Sequence, residues 1–108
     1  AMRGKLPSYL RLLGIFVSTH SNDAEKITAA LSDDNVVQAG QIAHGLKGVS
    51  GSLGLKSIYD AALSLDKALR DDLERAQAPH LVAALGERLQ ETTDALAPII
   101  ATQQTDTK

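Results

Sequence analysis

The sequence predicts an all-α protein, an antiparallel four-helix bundle with a short additional N-terminal helix across one end. Three observations carry that expectation. Apolar residues recur at the i, i+4, i+7, i+11 spacing of a helix face. Hydrophobic residues make up 44% of the 108 but aromatics only 3%, so the core is built from Leu, Ala, Ile and Val, which favours helix packing. Clusters of Asn, Asp, Ser, Gly and Pro divide the chain into five periodic stretches, and none of these alternates as a strand would.

The first helix is expected from about Pro7 to Ser18. Pro7 suits the first turn, where its missing N–H is harmless. Leu6, Leu10, Leu13 and Val17 form the stripe, Phe16 adds to the core, and Gly14 weakens the helix. His20-Ser21-Asn22-Asp23 is a break, and Asn22 with Glu25 resembles a capping box. The second helix follows to about Leu31, with Ala24, Ile27 and Leu31 on one face. Ser32-Asp33-Asp34-Asn35 both stops it and caps the next, with acids where a helix dipole favours them. The third helix, about Asn35 to Leu53, carries the stripe Ala39, Ile42, Leu46, Val49 and Leu53, and Gly54 suits a left-handed terminus. The fourth runs from about Leu55 to Asp71 with Ile58, Ala62, Leu65 and Leu69 inward. Its short connection to the third makes the pair antiparallel. Pro79 opens the fifth, to about Ala101, with Leu81, Leu85, Leu89, Leu96 and Ile99 on its apolar face. Pro98 is expected to kink or end that helix. Thr102–Lys108 reads as a frayed polar tail and Ala1-Met2 as a cloning remnant, leaving one domain over 1–108.

Composition excludes several functions. The formal net charge of −2 offers no basic field for nucleic acid or anionic lipid. With no cysteine there are no disulfides and no thiolate metal sites. No apolar run approaches the ~18 residues of a membrane span, and no signal peptide is visible. His20 and His80 fall in breaks or helix starts, lack partners at metal-ligand spacing and are expected to be solvated. No phosphate-binding nucleotide loop occurs, and no metal site is expected.

The stretch from Gly40 to Gly54 breaks the rules of the rest. His44 faces away from the apolar stripe. Its helical neighbours are Gly40, Lys47, Gly48 and Gly51. Gly40, Gly45, Gly48 and Gly51 together forgo roughly 4 kcal/mol of helix propensity, against about 5–15 kcal/mol for a whole domain. Such a sacrifice marks a functional site. Close packing by a neighbouring helix accounts less well for glycines gathered round a polar imidazole.

Ala43-His44-Gly45-Leu46-Lys47-Gly48, with Gly51 and Gly54 beyond, resembles the signature of histidine phosphotransfer domains. The resemblance extends over the whole chain and departs in one place, where Leu65-Asp66 stands for the family's Leu-Glu pair. It implies that His44 accepts a phosphoryl group from a receiver-domain aspartate and passes it to another. It implies that Lys47, Asp66, Gly48, Gly51 and Arg70 support the reaction, Asp66 by accepting a hydrogen bond from one ring nitrogen so that the other attacks phosphorus, and Lys47 and Arg70 by screening incoming charge, with Val37, Gly40 and Gln41 as docking contacts. The partners implied are response-regulator receiver domains, which supply Mg²⁺, so this chain needs neither cofactor nor ATP. A cytoplasmic monomer is expected, excised from the C-terminus of a hybrid sensor kinase that would tether it to the inner membrane. Two alternatives stay open, a helical docking or dimerisation module and a phosphotransfer domain of the chemotaxis-kinase type.

Overall fold

The computed structural model describes residues 2–106, and side chains from 8 to 101. Five helices form: α1 (Met2–His20), α2 (Asp23–Ser32), α3 (Val36–Leu53), α4 (Lys56–Arg70) and α5 (Ala78–Asp106), with a 3₁₀ turn at Arg75–Gln77 leading into α5. No strand occurs among the described residues.

Local chemistry sets the boundaries of α3. Asn35 Oδ1 accepts the Gln38 backbone N–H at 3.1 Å, while Asn35 Nδ2 donates to Gln38 Oε1 at 3.0 Å. This satisfies one of the orphan donors of the first turn. At the other end Gly54 adopts φ 75°, and the Leu55 N–H reaches the Ser50 carbonyl at 2.9 Å. That is a Schellman ending, which places a residue in the left-handed region and turns the chain sharply. α2 ends in the same way, but with Asp34 at φ 59° and Asn35 N–H on the Ala30 carbonyl at 2.8 Å. Asn22 precedes α2 without a side-chain cap bond, so the anticipated capping box is not formed.

The short connections force antiparallel neighbours. α2 packs on α3, α3 on α4, α4 on α5 and α5 on α2, closing a four-helix bundle. Ile27, Leu46, Ile58, Leu65, Leu85 and Leu89 fill its centre. The buried line of α3 is Ala39, Ala43, Leu46 and Ser50, with Ile42, Val49 and Leu53 at its flank. The expected stripe is therefore correct in kind but rotated toward the small residues, because alanine and serine let α4 approach closely. The Ser50 hydroxyl is satisfied by the Leu46 carbonyl at 2.7 Å.

The N-terminal helix is longer than expected. Pro7 removes one hydrogen bond in its second turn without stopping it, and the Ser21 N–H closes the last turn on Val17 at 3.1 Å. α1 covers the end of α3, where Tyr9 Oη donates to the Leu53 carbonyl at 2.7 Å. It continues along the far half of α5, with Gly14 facing Ile100. That support carries α5 through Pro98 to Asp106, well past Ala101. The expected polar tail is thus helical as far as Asp106, and Thr107 and Lys108 lie outside the described residues. Ile99 is not part of the apolar face; it is exposed, as are Leu12 and Ile15 on α1. His20 is not solvated as expected. On the last turn of α1 its Nδ1 lies 2.7 Å from Oδ2 of the buried Asp23, and its ring packs on Phe16.

Candidate functional site

The rotation of α3 decides where its imidazole points. His44 lies about 130° round the helix from the buried line, close enough to the seam to meet α4 and far enough to remain accessible. Its side chain is 62% exposed. On α4, Leu65 and Leu69 are anchored in the core. Asp66, between them, is carried to the seam beside His44 and is only 3% exposed.

One carboxylate oxygen gathers the site. Asp66 Oδ2 receives Lys47 Nζ at 3.1 Å and Arg70 Nη2 at 3.1 Å. The same oxygen lies 3.7 Å from His44 Nδ1, within ion-pair reach but too far for a hydrogen bond. Arg70 Nη2 is itself 3.3 Å from His44 Nδ1. Burying a carboxylate is costly unless it is paired, and here two cations pair it. One negative and two positive charges leave a single net positive charge against a neutral imidazole. That balance favours an arriving anion.

An open groove of about 440 Å³ runs past the ring. Val37, Gly40 and Gln41 of α3 form one wall, Leu69 and Arg70 of α4 another, and Arg75 of the 3₁₀ turn closes it. Arg75 is held by the Leu69 carbonyl at 3.2 Å and by Asp72 at 2.8 Å. Two exposed apolar side chains flank the groove in sequence, Val37 at 72% and Leu73 at 92% exposure.

The glycines fall into two groups. A Cβ built at Gly40, Gly45 or Gly48 meets nothing within 4 Å. Helix packing therefore does not explain them, and they leave the flank of His44 clear. Gly51 is different, because a Cβ there would lie 3.1 Å from the Tyr59 ring. Gly51 thus gives the Tyr59 ring of α4 room to pack.

The imidazole that this cluster surrounds belongs to the Ala43–Gly48 motif, and a family model described as the Hpt domain matches residues 11–97. The chain belongs to the Hpt domain family. No curated protein and no solved structure matches it.

As an Hpt domain it is a phosphotransfer module of phosphorelays, which carries phosphoryl groups and is not a kinase. Domains of this family interact with the receiver domains of response regulators. Among the described residues, no helix is long and apolar enough to cross a membrane. The structure brings His44, Lys47, Asp66 and Arg70 into one cluster, with Val37, Gly40, Gln41 and Gly48 around its rim. No sequence pattern singles out Arg75 of the groove or the exposed Leu73. Both belong to the connection after α4, where no helical periodicity assigns a direction to a side chain.

Proposed function

We propose that His44 is the phosphoryl carrier of this Hpt domain, loaded by the phosphoaspartate of one receiver and unloaded by the aspartate of another. The observation that carries this is the exposed imidazole whose Nδ1 is turned toward Asp66 and Arg70 on α4, leaving Nε2 on the outward side. In the loading step the Nε2 lone pair attacks phosphorus and an N–P bond forms. The bond between phosphorus and the aspartyl oxygen breaks, and its electron pair leaves on the partner's carboxylate. The attacking ring carries its proton on Nδ1, where Asp66 faces the positive charge the attack creates.

The surrounding groups have separate tasks. Lys47 and Arg70 supply the positive potential that attracts the phosphoryl oxygens. The bare flank made by Gly40 and Gly48 admits the partner's loops, while Val37 and Leu73 offer it apolar contact. The carboxylate against the ring is already shared by two cations, so the Mg²⁺ that phosphoryl transfer uses is held by the receiver. A cytoplasmic location is the one that suits receiver partners.

The test is to mix the domain with a phosphorylated receiver and characterise the label. Acid-labile, base-stable phosphate on the wild type, absent from His44→Gln, is the expected result. Label that persists on His44→Gln would overturn the assignment.

A further inference from the structure

We propose that Arg70 holds the resting imidazole in the tautomer that cannot attack, and that reaction requires Arg70 to leave the ring. This rests on His44 being the acceptor. The guanidinium of Arg70 has N–H donors and no lone pair. Its Nη2 lies 3.3 Å from His44 Nδ1, so Nδ1 is the acceptor. In a neutral ring the proton is then on Nε2. Nε2 is also the nitrogen a partner can reach. In the resting site the reachable nitrogen has no lone pair, and the nitrogen with a lone pair is covered by a cation.

Two movements prepare the ring. Arg70 swings away from Nδ1, which its 66% exposed side chain allows. The proton then exchanges through water from Nε2 to Nδ1. Asp66 Oδ2, now 3.7 Å away, is the acceptor waiting there, and a small ring rotation brings it within hydrogen-bond range. The carboxylate stays neutralised meanwhile by Lys47 at 3.1 Å. A phosphoryl group supplies a reason for Arg70 to move, because its oxygens accept a guanidinium in two parallel hydrogen bonds. The ring is thereby readied by a loaded partner in preference to an empty one. Asp66 alone would favour Nδ1–H, and it is the shared guanidinium that opposes it. Arg70 is in this sense a positioning residue for the nucleophile.

The tautomer is read directly from the ¹⁵N shifts of the His44 ring, at a pH where the ring is neutral. The wild type is expected to be mainly Nε2–H. Arg70→Ala is expected to move the ratio toward Nδ1–H by about tenfold, the worth of one charge-assisted hydrogen bond gained at Asp66. A second readout uses diethyl pyrocarbonate, an uncharged electrophile that Arg70 does not attract, with mass mapping to separate His44 from His20 and His80. Modification of His44 should be roughly tenfold faster in Arg70→Ala, following the same population change. A wild-type ring that is mainly Nδ1–H, or an Arg70→Ala variant unchanged in both ratio and reactivity, overturns the proposal. Neither readout involves phosphoryl transfer. Loss of the carrier assignment would therefore show in the His44→Gln labelling and not here.

Discussion

The glycines of α3 make the sharpest separation between stability and function. In Gly45→Ala the new methyl group meets nothing within 4 Å, and the backbone is ordinary helix. The gain is then the full propensity difference, about 0.5–1 kcal/mol. The same holds at Gly40 and Gly48, so the triple alanine variant should gain roughly 1.5–3 kcal/mol. For a domain of this size that is a melting temperature higher by roughly 10–20 °C. Gly51→Ala should not share the gain, since its Cβ would press on the Tyr59 ring at 3.1 Å. Gly54→Ala should lose about 1–2 kcal/mol, because φ 75° strains any L side chain. Transfer should follow a different order. Gly45→Ala should transfer normally, whereas Gly48→Leu, stable but bulky one turn from His44, should be slowed. Thermal melts by circular dichroism and transfer time courses on the same samples decide the matter. A destabilised Gly48→Ala, or a Gly48→Leu that transfers at the normal rate, would refute the idea that these glycines exist for clearance.

Three further outcomes follow from the same geometry. Asp66→Ala removes the anion shared by Lys47 and Arg70. It should cost about 1–2 kcal/mol in urea unfolding and slow transfer about tenfold, equal to about 1.4 kcal/mol in the barrier, and wild-type values of both would remove Asp66 from the account. Asp34→Gly relieves a left-handed aspartate at φ 59° and should raise stability by up to about 1 kcal/mol, whereas a lower melting temperature would show that the aspartate side chain supports the turn. Leu12, Ile15 and Ile99 leave apolar surface on the arm formed by α1 and α5. We still predict a monomer, because these side chains are each only about half exposed; a dimer by sedimentation at micromolar concentration that Leu12→Ser with Ile15→Ser dissolves would contradict that.

Much of this fold is legible because its signals are local. Asn35 and Gly54 bracket α3 by their own hydrogen-bonding and backbone chemistry, and Ile58, Ala62, Leu65 and Leu69 declare the inner face of α4 by spacing alone. What the sequence hides depends on partners. Periodicity selects the large apolar residues of α3, but packing against α4 prefers Ala39, Ala43 and Ser50, a choice visible only once the neighbour is in place. The extra turns of α1 and α5 exist because the two helices support each other beyond the bundle. In the site, motif spacing identifies His44, Lys47 and Asp66. It does not reveal that Lys47 and Arg70 share one oxygen, nor that Arg70 stands at Nδ1 where Asp66 was anticipated to accept a hydrogen bond. Asp66 is one methylene shorter than glutamate, and its Oδ2 lies 3.7 Å from His44 Nδ1. A helical wheel places Gly51 near His44 but does not show the Tyr59 ring of α4 that packs beside it.

The most direct test of the carrier claim is the discharge of a domain already loaded on His44. Phosphorylated domain, purified free of its donor, should keep its phosphate when incubated with Mg²⁺ alone. It should lose that phosphate to the aspartate of an added receiver when receiver and Mg²⁺ are both present, with no nucleotide in the mixture. Phosphate that leaves equally fast without a receiver, or that stays on His44 against every receiver of the same cell, would contradict the account.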